Sequence, residues 1–184
     1  MSAVAVLSNH GTVRFEKKGN KRTLVIFDLK NFKPFSTHAI HIHEYGDTTD
    51  GCASLGGHYN PEKKTHGSLI AKERHVGDLI NNFTTDAEGR FHLEFLDHSI
   101  HNVQDIYGRS VVIHYLEDDL GLGMYENRPY STLPDPLLMN LCKERGYTGV
   151  KSRQERIRKL ESESLVTGNA GKRLVCGVIG ISKT

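Results

Sequence analysis

Histidine is the residue whose number and placement stand out in this chain. There are 11, and six of them (His38, His41, His43, His58, His66 and His75) fall between positions 38 and 75. Neutral imidazole is a common ligand for zinc and copper, so crowding of this kind points to bound metal. His41 and His43 belong to the alternating run HAIHIHE. Strand side chains alternate, which puts both imidazoles on one face, about 7 Å apart along the strand, and Ile40 and Ile42 on the other. His58, His66, His75 and Asp78 come from a long, Gly-rich polar stretch, 45–82, whose backbone freedom lets ligands converge. An aspartate after three histidines adds the hard oxygen donor that tetrahedral zinc accepts. His114 shares a strand face with Val112 in the run RSVVIHYL. Any one of these residues is weak evidence of a metal, because a lone strand histidine is more often structural. Together the seven are too many for one site and suit two ions.

These ligands need a frame, and the rest of the chain supplies short strands. Runs at 4–7, 12–16, 23–29, 38–44, 90–96, 109–116 and 174–182 are β-rich or alternate with period two, and turn residues separate them. Seven or eight short strands with no long crossover helix in the first 120 residues predict an all-β fold, an antiparallel sandwich or barrel. Residues 124–166 differ. Asp135 can cap a helix with Pro136 in its first turn, Leu137, Leu138 and Leu141 give it an apolar face, and Gly146 can end it. Ser152 with Glu155 three residues on is a capping box for a second helix. That helix has few apolar residues (Ile157, Leu160) and carries Arg153, Arg156, Arg158 and Lys159. The region reads as a helical hairpin inserted in a β fold. Its plainest expectation is to project from the barrel with its charged face in water.

Composition bounds the possibilities. A chain of 184 residues and 20.6 kDa is expected to form one domain, 1–184, large enough to fold without a metal or disulfide. The 24 Lys+Arg against 22 Asp+Glu leave +2, which argues against a nucleic-acid binder. The longest apolar stretches, at 3–7 and 24–27, are too short to cross a membrane. The start, MSAVAVLSNHG, lacks a basic n-region and a signal h-region, so a cytoplasmic location is expected. Cys52, Cys142 and Cys176 are too few for a disulfide scaffold, and they leave three pairings open.

The stretches HIHEYGD, GCASLGGHYNP, THG, RHVGDL, GRSVVIH, DDLG and TGNAGKRLVCGVIGI together closely resemble the copper/zinc superoxide dismutase family, in order and in nearly all local spacings. The resemblance covers roughly three quarters of the chain. It implies an eight-stranded Greek-key β-barrel with long metal-binding and channel loops, and disproportionation of superoxide to dioxygen and hydrogen peroxide. It implies copper held by His41, His43, His58 and His114, and zinc held by His58, His66, His75 and Asp78. His58 is the shared, bridging ligand and carries a proton in the reaction. By the same resemblance Asp118 would link His41 to His66, Arg173 would stand beside the copper as the catalytic cation, and Cys52 would pair with Cys176. A homodimer is implied, meeting near Tyr45, Gly108 and 180–181, with a copper-delivery protein as a further partner. A silent binding module on the same fold would lack a copper histidine or the arginine, and all are present. A zinc hydrolase using Glu44 as base would need an open zinc position, which four ligands close.

The chain also departs from the family. His114 and Arg173 are separated by a channel loop lengthened by the helical insertion. Val166 stands where a channel-rim lysine is common. Ile80 and Ala39 replace glycines, and Gly57 replaces a proline. Cys142 is expected to be a free thiol on a helix face, His38 a buried structural residue, and His10, His92, His98 and His101 exposed.

Overall fold

A computed structural model describes residues 1–183. Ten strands follow one another in the chain: β1 (Ser2–Val6), β2 (Gly11–Lys17), β3 (Thr23–Leu29), β4 (Thr37–His43), β5 (Asn81–Thr84), β6 (Phe91–Asp97), β7 (Ser110–His114), β8 (Met124–Tyr125), β9 (Arg128–Pro129) and β10 (Arg173–Ile181). Eight of them pair antiparallel in the order β5-β4-β7-β10-β1-β2-β3-β6, a nearly closed barrel; β8 and β9 form a separate small hairpin. Strands β3 and β6 lie side by side although β4 and β5 intervene in sequence, and β4 likewise lies beside β7. These two crossings give the Greek-key order.

The alternation seen in the sequence decides what points inward. Val13 and Phe15 of β2, Val25 and Phe27 of β3, Ile40 and Ile42 of β4, and Val111 and Ile113 of β7 all enter one buried core. Their neighbours on the opposite face of β4 and β7, including His41, His43 and His114, are also buried. The cover on that side comes from the long loop between β4 and β5. Strand β5 itself was not foreseen. It begins within the polar stretch read as loop, both Leu79 (φ 46°) and Asn81 (φ 59°) adopt left-handed backbone, and Phe83 is its sole apolar side chain, so it shows no alternation. It pairs with β4 all the same, His38 opposite Phe83.

Residues 135–167 form the two expected helices, α1 (Asp135–Glu144) and α2 (Arg153–Thr167). Ser152 and Glu155 make the full capping box of α2, and Gly168 ends it in the left-handed conformation. At α1 the expectation needs correcting. Pro134, not Asp135, is the capping residue, and Asp135 is free to accept two hydrogen bonds from Arg156 of α2, at 2.8 Å each. The hairpin does not project into solvent either. It has its own small core of Tyr130, Leu133, Leu138, Leu141, Cys142, Ile157 and Leu160, and its second helix runs back onto the loop carrying the histidines. Arg156, one of the supposedly solvated charges, is buried. Cys142 is free, as expected, and lies inside that core. No helix among the described residues is long and apolar enough to cross a membrane.

Candidate metal centre

Strand register places the first three histidines. In the β4–β7 ladder His41 faces Val112, and His114 lies two residues further along the same face of β7. Arg173 stands directly opposite His114 at the start of β10, just before a bulge. The loop supplies His58 by running back along the end of β4: Glu44 N–H donates to Gly57 O, Tyr59 N–H donates to Ile42 O, and His58 faces His43. The next turn packs so closely against this segment that a Cβ on Gly77 would overlap the Ile42 carbonyl oxygen.

Two groups of donors result. Atoms of His41, His43, His58 and His114 lie within 4.8 Å of one another, as do atoms of His58, His66, His75 and Asp78, and all seven residues are buried. His58 is common to both. The partners behind each ring show which nitrogen faces inward. Nδ1 of His43 donates to Gly56 O (3.0 Å) and Nδ1 of His114 donates to Gly171 O (3.1 Å). A carbonyl can only accept, so both protons sit on Nδ1 and both Nε2 atoms present lone pairs. Those Nε2 atoms are 3.3 Å apart. Asp118 likewise accepts from Nε2 of His41 (2.7 Å) and Nε2 of His66 (2.9 Å), which turns both Nδ1 atoms inward. A third donor group, His41–His66–Asp118, is therefore this supporting bridge rather than another ion site.

On the other side Asp78 Oδ1 lies 2.9–3.0 Å from the Nδ1 atoms of His58, His66 and His75. Its second oxygen accepts from the backbone N–H groups of Gly67 and His75.

The electrostatics agree with a cation site. Burial pushes His43 well below its ordinary value, His58 to about 3 and His114 to about 4, with the neighbouring imidazoles adding to the effect. Burial also lowers His41, and Asp118 only partly offsets it. These rings are neutral at pH 7, the form that can bind a metal. Burial opposes charge on His66 too, yet hydrogen bonds to Asp118 and Asp78 override it and raise the group to about 10. Burial would raise Asp78 and Asp118, but their histidine partners hold both well below the usual carboxylate range. Two carboxylates flanking one ring thus demand a positive charge between them, a proton or a metal. Nδ1 of His41 and Nε2 of His58, both buried, have no hydrogen-bond partner. Orphaned lone pairs inside a ring of imidazoles fit metal ions, and a set of three nitrogens and one oxygen suits zinc while four nitrogens suit copper.

Arg173 holds the rim. Its guanidinium donates to the carbonyls of Cys52, Ala53 and Gly56. The Cys52–Cys176 disulfide, with its Cα atoms 5.9 Å apart, ties that same loop to β10. Glu44 is exposed and outside both donor groups. His38 is buried, with Nδ1 donating to His114 O and Nε2 against the Ser36 hydroxyl. His92, His98 and His101 are exposed, whereas His10 is half-buried against Phe32.

Sequence reasoning missed several supports. Asn82 brackets the backbone of Asp118, accepting from its N–H (2.7 Å) and donating to its carbonyl (2.8 Å). Asn81 donates to the Asp118 carboxylate and to Gly67 O. The Asn-Asn pair after RHVGDLI was the only signal, and it reads as a turn.

Residues 9–133 match the family model for copper/zinc superoxide dismutase. A Cu-Zn superoxide dismutase of Cryptococcus neoformans var. grubii is 38% identical over 189 residues, covering 99% of both chains. One from Schizosaccharomyces pombe is 40% identical over 187 residues, covering 98% of this chain and 97% of its own. Among solved structures, the crystal structure of the clock protein EA4 superposes with a TM-score of 0.71 at 30% identity, over 98% of this chain and 94% of that one. The chain belongs to the copper/zinc superoxide dismutase family. It is an oxidoreductase of that class, with copper and zinc as its metals.

Proposed function

We propose that superoxide is disproportionated at this two-ion centre with the following division of labour. Nδ1 of His41 and the Nε2 atoms of His43, His58 and His114 would hold copper. The Nδ1 atoms of His58, His66 and His75 and the Asp78 carboxylate would hold zinc. The observation that carries this reading is His58, whose two ring nitrogens fall one in each donor group. Copper, when bound, supplies a one-electron couple, so that two superoxide ions and two protons become one dioxygen and one hydrogen peroxide.

The residues do the rest. Nε2 of His58 is the nitrogen that faces the copper donors, and it is where a proton can be held for the peroxide product. Asp78 steadies the same ring from the other nitrogen. Asp118 fixes the orientation of His41 and His66 at once, so both halves of the site share one brace. Arg173 offers a permanent positive charge. Its hydrogen bonds to three carbonyls hold the fork in place, and its remaining N–H donors can take an anion.

The test is superoxide consumption by protein loaded with both metals, beside Arg173→Ala and His58→Ala. Arg173→Ala should lose about ten- to a hundredfold in rate and much of its salt dependence. His58→Ala should change the Cu(II) spectrum when zinc is added or withheld far less than the parent does. An identical spectrum in parent and variant would overturn the bridge.

We treat residues 124–166 as an insertion within one domain. We also read the protein as a cytoplasmic homodimer that receives copper from a delivery protein. Tyr45, Val178 and Ile181, at the face the family resemblance points to, expose large apolar side chains. Sedimentation equilibrium tests the dimer, and cell fractionation tests the compartment.

A further inference from the structure

Asp119 is not among the metal donors, yet its carboxylate accepts four hydrogen bonds. Its Oδ2 accepts from the Tyr130 hydroxyl (2.7 Å) and from Asn169 Nδ2 (2.8 Å). Its Oδ1 accepts from the Ser164 hydroxyl (2.8 Å) and from Gly121 N–H (3.1 Å). Its own N–H donates to Gly168 O (2.8 Å). Tyr130 and Ser164 belong to the helical insertion, and Asn169 follows it. Asn169 is reached in turn by Tyr147, whose hydroxyl donates to its Oδ1 (2.7 Å). Tyr130, Ser164 and Asn169 are fully buried. Removing one member leaves a buried partner short of a hydrogen bond.

The network acts where the metal centre is braced. Asp119 is the chain neighbour of Asp118, the carboxylate between His41 and His66. Gly168, at the end of α2, lies against that carboxylate so closely that a Cβ there would overlap Asp118 Oδ1 and crowd His66 Nε2. One turn earlier, Leu165 O accepts from the backbone N–H of His66 (2.8 Å). The insertion therefore touches the brace from two sides, through the Asp119 carboxylate and through the end of α2.

We propose that the insertion is a clamp on the metal centre, with Asp119, Tyr130 and Asn169 as positioning residues that set where Asp118 stands. The clamp rests on Asp118 being the brace of both ligand sets. Because it acts through Asp118, its removal weakens metal retention before it weakens the fold.

The experiment is zinc affinity by competition with a chromophoric chelator, together with the Cu(II) absorption and EPR spectra and the unfolding midpoint of the metal-free protein. Asp118→Asn weakens zinc binding about a hundredfold, the upper end for a residue that orients ligands. Tyr130→Phe, which removes one hydroxyl and keeps the ring, weakens it about tenfold and shifts the Cu(II) spectrum. Tyr147→Phe, one partner further out, weakens it about twofold. Ser164→Ala probes the same carboxylate from α2 without disturbing the tyrosine. Asp118→Asn active against zinc, with Tyr130→Phe and Ser164→Ala lowering only the unfolding midpoint, would overturn the clamp and leave the site reading standing. Asp118→Asn without effect on zinc would overturn both.

Discussion

The two halves of the metal centre are built by different means. His41, His43 and His114 sit on β4 and β7, where backbone ladders fix their spacing, and carbonyls or Asp118 fix their ring nitrogens. His58, His66, His75 and Asp78 come from a 37-residue connection between β4 and β5, in which a single bridge, His58 facing His43, pairs with a strand and no ladder sets the register of the other three. That half is organised by a buried carboxylate accepting from three rings and two backbone N–H groups, and by the disulfide and Arg173 tying the loop to β10. A strand-borne ligand set is preorganised by the fold; a loop-borne one depends on charge pairing and anchors. Perturbing anchors and charge should therefore tell the halves apart.

The largest effect is expected from the anchor. Cys52→Ser opens a bridge between residues 124 apart in sequence, which the chain-entropy model values at about 5 kcal/mol. Guanidinium unfolding of oxidised parent and variant measures it. Hydrogen exchange should show protection falling further in 45–80 than in β4 and β7, whose amides share only the global loss. Equal loss in the loop and the barrel would erase the contrast between halves.

Asp78→Ala comes next, at about 3–5 kcal/mol in urea unfolding of the metal-free protein, because it removes one of the two carboxylates that balance the buried His66 and leaves two backbone N–H groups without their acceptor. A cost under about 1 kcal/mol would mean that the disulfide, Arg173 and packing hold the loop half without this carboxylate.

The pH dependence of the metal-free protein should then set His66 apart from the other rings by sign. His58 and His114 are depressed to about 3 and about 4, so the unfolded chain binds more protons below about 6.5, and stability falls as pH drops from there toward 4. The depressed Asp78 and Asp118 add further loss at more acid pH. His66, raised to about 10, works the other way: its contribution is complete below about 6.5 and is lost as pH climbs toward 10. Each proton contributes a slope of about 1.4 kcal/mol per pH unit. A His66→Gln variant that kept the alkaline loss would refute its source.

The smallest effect concerns approach rather than structure. Val166 is exposed near the end of α2. Val166→Lys adds a positive charge there and should raise the superoxide rate about two- to threefold at low salt, vanishing at high salt. An unchanged low-salt rate would leave steering to Arg173.

Much of the barrel was legible because alternation in short runs such as HAIHIHE and TLVIFDL assigns faces directly. The candidate donors stood out because seven side chains of metal-binding types fall in family-like order, and the structure brings them into two groups. Strand β5 was not, since its four residues, Asn81–Thr84, offer Phe83 as their sole apolar side chain and so show no alternation. The position of the helical hairpin was not legible either. Its charge read as solvated surface, whereas Arg156 is buried against Asp135.

By itself the sequence determined which groups can bind metal, how many ions they suit, and which strand faces carry them, because those properties belong to residue types and to local periodicity. Only the tertiary structure decided which nitrogen each ring turns inward, that His58 lies in both donor groups, which cysteines pair, and that α2 ends against Asp118. Those outcomes depend on carbonyls, carboxylates and backbone brought together across as many as 124 positions of chain, and no local pattern encodes such meetings.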